Sequence, residues 1–257
     1  MSDRKNLMRG QFGARAERYV QSADHWAGES LDRLIELVRP QAAWRALDVA
    51  TGGGHTALAI SRLAAEVVAS DLTPEMLAAA EKFFREQGRM NVVCREADAM
   101  ALPFGEAEFD LVTCRIAPHH FADVARFVRE CARVVKPGGV VAVIDNIVPG
   151  DPATAKFLNA FEKLRDPSHH WACSLEEWVG FFEAAGLAVE AAEQFRKSIG
   201  FNGWADRMDV PPHLKEQLRA LLLQAPAAGQ AALSPEGEGE GLKFYLGEGL
   251  IVGRRGL

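Results

Sequence analysis

Three groups of residues in this 257-residue chain have types and spacings suited to chemistry. The first is Gly52-Gly53-Gly54, between the apolar run Leu47-Asp48-Val49-Ala50 and the helix-forming His55-Thr56-Ala57-Leu58. Glycines there let the chain turn sharply and leave backbone N–H groups unshielded by a Cβ, so an electron-rich ligand group can approach. Asp71 closes the next apolar run, 17 residues past Gly54, where its carboxylate suits the hydroxyls of an NAD ribose. The second group is His119-His120, two imidazoles able to take a proton from a hydroxyl, a thiol or an activated carbon. Their structural alternative is that one caps the helix beginning near Phe121 while the other lines a pocket. The third is Asp145-Asn146, oxygen ligands of a kind that suits magnesium. The stretch from Arg115 to His120 offers no partner carboxylate, so no metal is expected.

These residues sit on an alternating pattern. Strands are predicted at Ala46–Val49, Glu66–Asp71, Val92–Glu96, Phe109–Cys114 and Val140–Ile144, with helical segments between them. Thr73-Pro74-Glu75 opens one helix with a cap and a first-turn proline, and Phe121, Val124, Val128, Cys131 and Val135 mark the buried face of another. Lys136-Pro137-Gly138-Gly139 is read as the turn that stops that helix and starts the fifth strand. Such a rhythm predicts a parallel sheet covered by helices on both faces. Ahead of it, Leu7 to Val38 reads as two helices ended by Pro40. Beyond Pro149, 150–172 carries Phe157, Phe161 and Trp171 without a strand. A helix (Leu175–Ala185), a strand (Leu187–Phe195), an irregular and helical region (197–235) and the strand Gly249–Gly253 follow. The acidic-glycine run Glu236–Gly241 is read as a mobile loop.

Taken together, these spaced motifs resemble class I S-adenosylmethionine-dependent methyltransferases, particularly the ubiquinone and menaquinone C-methyltransferase group. The resemblance covers about residues 45–147. It rests on Leu47 to His55, on Asp71-Leu72-Thr73-Pro74-Glu75-Met76-Leu77, on Ala97 to Phe104, on Phe109 to His120 and on Lys136 to Gly139. It implies a doubly wound, mostly parallel seven-stranded α/β sheet, and S-adenosylmethionine as cofactor with S-adenosylhomocysteine as its product. Residues 1–40 would be a helical lid, 41–149 the cofactor-binding core, and 150–257 cap insertions with the C-terminal strands. Carried over by position, Ala50, Thr51, Gly52 and Gly54 border the methionine part, and Asp48 helps its amino group through water. Asp71 accepts from both ribose hydroxyls, Asp98 receives the adenine amino group, the Ala99 N–H meets a ring nitrogen, and Leu72 and Met76 pack on the purine. Arg115 offers its backbone carbonyl to the methionine ammonium, and Tyr19 resembles the family's lid tyrosine. Ala50 stands where the family usually has its first glycine. The aromatic Asn/Asp-Pro-Pro-Tyr signature of methylation on bases or glutamine is absent.

The resemblance therefore implies methyl transfer to a small, apolar or aromatic molecule by in-line displacement, with His119 or His120 as candidate base. The alternatives are a cofactor-bound enzyme of another reaction type, an inactive cofactor-binding scaffold and, more remotely, an NAD-dependent dehydrogenase. A net charge of −6 argues against nucleic acid as the main partner, since that binding relies on clustered Lys and Arg. No apolar run reaches the roughly 20 residues needed to span a bilayer, and a cytoplasmic location is expected. Cys94, Cys114, Cys131 and Cys173 form no C-x-x-C pair, so neither a disulfide framework nor a zinc knuckle is expected. Oligomeric state is not legible in the sequence.

Overall fold

The computed structural model describes residues 28–257 together with Arg9, Gly10, Phe12, Gly13 and Ala16. Tyr19 and most of the expected N-terminal lid lie outside the described residues. The strands are β1 (Arg45–Val49), β2 (Glu66–Asp71), β3 (Val92–Glu96), β4 (Phe109–Arg115), β5 (Val135–Ile147), β6 (Leu187–Gly200) and β7 (Lys243–Arg255). They form one sheet in the order β3-β2-β1-β4-β5-β7-β6, parallel from β3 through β5 and antiparallel on both sides of β7. The order reverses between β1 and β4, so the carboxyl ends of those strands border a crevice where open α/β sheets bind ligands.

Helices cover both faces. α1 (Glu29–Val38) buries Leu31, Leu34 and Val38 at helical spacing, each worth about 1.5–3 kcal/mol when fully removed from water. It ends with Arg39 in the left-handed region (φ 49°), directly before Pro40. α2 (His55–Ser61) and α3 (Pro74–Glu86) join α1 over an apolar layer that includes Leu34, Ala57, Ile60, Phe84 and Val252. α4 (Val124–Val134) and α6 (Leu175–Ala184) close the opposite layer around Phe109, Phe127, Val141 and Trp178. A third cluster joins α5 (Pro152–Arg165), α7 (Phe201–Asp206), α8 (Pro212–Leu223) and α9 (Ala227–Leu233) through Phe161, Trp204, Leu218, Leu233 and Phe244. Among the described residues no helix is long and apolar enough to cross a membrane.

Several elements differ from the sequence-based expectation. Lys136–Gly139 lies inside β5, where the β4–β5 register shifts. Lys136 Nζ donates to Asp110 Oδ1 at 2.8 Å, and a Cβ on Gly139 would stand 2.9 Å from the Asp110 carbonyl oxygen, which requires a glycine there. β5, β6 and β7 all outrun their apolar cores because ladder pairing with a neighbour carries them on. Thr73 makes no side-chain cap to α3; its hydroxyl bonds to Asp71 instead. The Glu236–Gly241 run is fastened rather than loose. Glu236 and Lys243 exchange backbone hydrogen bonds at 2.8 and 2.9 Å, their side chains pair at 2.9 Å, and 239–241 form one 3-10 turn.

Candidate active site

A cavity of about 590 Å³ opens over the carboxyl ends of the parallel strands, within the size range of small-molecule sites. Its first wall is the loop after β1, the end of β2 and the loop after β3, which contribute Ala50, Gly52, Asp71, Leu72, Met76, Asp98 and Ala99. Gly52 has φ 53° with open space where a Cβ would stand, and its N–H donates to Asp71 Oδ2 at 3.0 Å. Thr73 N–H donates to Asp71 Oδ1 at 2.9 Å, so both carboxylate oxygens are aimed by backbone. Burial raises the Asp71 pKa, and these N–H groups oppose the shift. Asp98 Oδ1 accepts from the Met100 N–H at 3.0 Å, fixing the loop that carries Ala99.

Four expected residues stand behind this wall rather than in it. Asp48 is buried beneath the loop, accepting from Thr51 Oγ1 at 2.6 Å and from Thr113 Oγ1 at 2.7 Å; burial pushes its pKa up to about 6. Thr51 is thus a support of Asp48. Gly54 begins α2 with φ 85°, and a Cβ there would meet Phe84 at 2.5 Å, so core packing accounts for that glycine. The Arg115 side chain is outside the cavity lining, its pKa lowered by burial. Ala50, on the lining, holds φ 52°, a conformation that costs an alanine roughly 1–2 kcal/mol.

The second wall is the exit of β4. Ile116 takes φ 53°, an outlier for a β-branched residue, and Pro118–His120 then form one 3-10 turn. That turn presents both histidines to the cavity. Neither caps the following helix, whose N-cap is Asp123, accepting from the Arg126 N–H at 2.8 Å. His119 Nδ1 lies 2.6 Å from Asp145 Oδ1, both groups being buried. An ionised Asp145 oxygen is an acceptor, so Nδ1 carries the proton and Nε2 keeps a lone pair. Burial lowers the His119 pKa, but the charge of Asp145 and the hydrogen bond to it outweigh burial and leave it raised. Asp145, considered above as a metal ligand, is committed to this imidazole. Among the described residues no group of three or more His, Cys, Asp and Glu could hold a metal ion.

His120 packs against His119 with ring centroids 4.2 Å apart. Ser168 Oγ donates to Asp166 Oδ1 at 2.5 Å, which makes Ser168 the acceptor from His120 Nδ1–H at 3.2 Å. Burial, and then the charge of His119, bring His120 down to about 3. His169 is sealed in the wall behind them. Its Nε2 faces Asn159 Oδ1 at 2.8 Å, and the Asn159 amide donates to the Ala155 and Ala172 carbonyls, so the imidazole is the donor. Burial pulls His169 down to about 2. Nothing in the sequence pointed to Asp166, Ser168 or Asn159; only their adjacency in space reveals them. Cys173 is buried and its thiol is pushed up to about 12, which makes it a poor nucleophile.

The far wall comes from α5, β6, α7 and β7 and mixes rings and aliphatic chains with charge. It brings Ile199, Trp204 and Leu246 beside Glu162, Arg165, Asp166, Lys197, Arg207 and Glu248.

The methyltransferase-domain family model matches residues 47–143, which span the first two walls. An uncharacterized methyltransferase, YcgJ of Bacillus subtilis (strain 168), is 36% identical over 244 residues, covering 94% of this chain and 96% of the relative. The chain belongs to the class I S-adenosylmethionine-dependent methyltransferases. The crystal structure of YcgJ superposes on this methyltransferase with a TM-score of 0.84, covering 89% of this chain and 98% of that one. Protein BH2331 of Bacillus halodurans gives 0.85 at 35% identity, covering 90% and 100%. A demethylmenaquinone methyltransferase of Thermus thermophilus is 41% identical over 115 residues, 44% of this chain and 52% of that protein. The dehydrogenase alternative for the glycine loop falls with these matches.

Proposed function

We propose that this methyltransferase methylates a small, largely apolar or aromatic molecule at an acidic X–H group, with His119 as general base and Asp145 as its positioning residue. The observation that carries this reading is the 2.6 Å contact of His119 Nδ1 with Asp145 in the wall of the same cavity that Gly52, Asp71 and Asp98 border.

S-adenosylmethionine, when bound, supplies a methyl group on a positively charged sulfur. The residues present fit it. Gly52 leaves its side of the loop open, while Asp71 and Asp98 are aimed carboxylates with acceptor capacity beyond the backbone bonds they already hold. Asp71 would take the ribose hydroxyls and Asp98 the adenine amino group, with the Ala99 N–H on a ring nitrogen and Leu72 and Met76 against the purine. Ala50 and Gly52 would border the methionine part. Thr51, Gly54 and Asp48 would act from behind by fixing the loop, and the Arg115 carbonyl would receive the ammonium. Tyr19 would close over the site.

His119 Nε2 would take the acceptor's proton as the bond to the methyl group forms, and Asp145 would stabilise the resulting imidazolium. His120, kept neutral by burial and by His119, would accept a hydrogen bond without competing for the proton. The far wall would hold the remainder of the acceptor and exclude water, so that alignment supplies much of the rate. Incubating the protein with methyl-labelled S-adenosylmethionine and a panel of phenols, quinols, thiols and amines tests the reading. Labelled phenol or quinol, lost in His119→Ala with S-adenosylhomocysteine binding intact, is expected. Full turnover by that variant across neutral pH would dismiss His119 as the base.

A further inference from the structure

Among the described residues, two buried polar atoms of the far wall are without a hydrogen-bond partner, and they are complementary. Glu162 Oε1 is an acceptor, and Trp204 Nε1–H is a donor. Glu162 is 8% exposed and Trp204 1%. Native proteins pair nearly all such groups, because a desolvated polar atom left unmade costs free energy. Both residues line the large cavity, and Glu162 also lines a smaller one of about 300 Å³, so Glu162 stands between the two.

Arg165 ties the two residues together. Its Nε donates to the Trp204 carbonyl at 3.1 Å, its guanidinium covers the Trp204 ring at 4.9 Å, and its NH1 is 3.7 Å from Glu162 Oε2. The indole also stacks on Phe161, the residue before Glu162, with centroids 5.1 Å apart and planes within 13°. The indole is therefore held in place, whereas the terminal torsion of a glutamate is soft, so the Glu162 carboxyl is free to turn toward a ligand group that enters beside Trp204. Charge on this wall is balanced, with Glu162, Asp166 and Glu248 facing Arg165, Lys197 and Arg207. A group bearing a full charge of either sign would upset that balance.

We propose that Glu162 and Trp204 form a recognition subsite for an uncharged hydroxyl group on the methyl acceptor, remote from the atom that is methylated. A hydroxyl donates once and accepts twice, so it can give its hydrogen to Glu162 and receive the Trp204 N–H. An alkyl group offers neither, and leaves the wall as unsatisfied as before. The proposal rests on the reading of this cavity as the acceptor's chamber.

Calorimetric titration of the full chain, saturated with S-adenosylhomocysteine, with four probes tests it: 4-propylphenol, 4-(3-hydroxypropyl)phenol, its 3-aminopropyl counterpart and 3-(4-hydroxyphenyl)propanoate. The hydroxypropyl compound is expected to bind at least about tenfold more tightly than the propyl compound, with neither charged probe exceeding it. Glu162→Met and Trp204→Phe, which keep an apolar chain and a stacking ring, should each reduce that preference severalfold. Glu162→Gln, which keeps an acceptor oxygen, should restore most of it. Equal binding of the first two probes, no binding of either, tightest binding of the ammonium probe, or a preference unchanged in both variants overturns the proposal. Labelled methyl transfer is scored separately: preference without transfer counts against the function proposed above, and transfer without preference against this subsite alone.

Discussion

Removing the Asp145 charge should disable the base without emptying the site, and the protein supplies its own calibration. His119, His120 and His169 are all buried, with ring centroids 4.2 to 6.5 Å apart, so they share a low-dielectric surrounding. Of the three, His119 alone has a raised pKa, and its Nδ1 lies 2.6 Å from the Asp145 carboxylate. His120 bonds to Ser168, which in turn donates to Asp166, and stands at about 3; His169 meets a neutral amide and stands at about 2. In Asp145→Asn, His119 loses the charge and the hydrogen bond that hold its pKa up, and burial should then bring it below an ordinary histidine. Proton abstraction should slow roughly 100-fold, the lower end of what a positioned general base contributes. Loss of the preferred tautomer adds to this, because an Asn amide can present its NH2 to Nδ1. The assay is kcat against pH with labelled cofactor and the best phenol of the panel. S-adenosylhomocysteine affinity, which should change less than twofold, controls for folding. A kcat within threefold of the parent and an unmoved pH profile would refute the reasoning.

Other outcomes are as definite. Histidines held neutral by burial contribute stability that is complete above about pH 6.5 and is lost as pH falls toward their folded values. His120 and His169 together should cost about 4 kcal/mol between pH 7 and 5, and Asp48, pushed up to about 6, returns about 1 kcal/mol. The raised pKa values of His119, Asp71, Asp145 and Glu162 act in the same direction as Asp48, so the test is comparative: urea unfolding of His169→Gln should lose less stability between pH 7 and 5 than the parent, and identical profiles contradict the assignment. Ala50→Gly relieves a left-handed alanine at φ 52° and should stabilise the chain by about 0.5–1 kcal/mol after the entropy of the added glycine, read as a higher melting temperature. Asp71→Ala removes the acceptor for the Gly52 and Thr73 N–H groups and should weaken S-adenosylhomocysteine binding by roughly 10-fold to 100-fold in calorimetry. Unaltered affinity would detach Asp71 from the cofactor.

Local chemistry alone determined the parallel half of the molecule. Apolar runs ending at Asp71, Glu96 and Cys114, punctuated by glycine and proline, set β2, β3 and β4 to within a residue. Asp71, Asp98 and Gly52 were legible because each closes or follows a strand, and strand ends converge on one crevice. The N-terminal wall behind them was only half legible. Gly54 has the residue type of a ligand-facing loop, yet its partner is Phe84, 30 positions further on, and no local pattern encodes that contact. Likewise the ladders that extend β5, β6 and β7 depend on a neighbour's register, which periodicity does not carry.

The chemical roles were decided later still. His119-His120 is a dipeptide of two like residues, and the sequence gives no reason to tell them apart. Folding sets Asp145, 26 positions away, against one ring and Ser168, 48 positions away, against the other. Proton affinity follows the charge within hydrogen-bond reach in a low-dielectric interior, and only the tertiary structure assembles that charge. The sequence by itself determined the glycine turn and the strand-end carboxylates proposed to cradle the methyl donor, because a strand, a tight turn and a strand-end carboxylate are local. Which histidine is proposed as the base, and which wall is proposed to face the acceptor, depended on contacts between residues far apart in the chain.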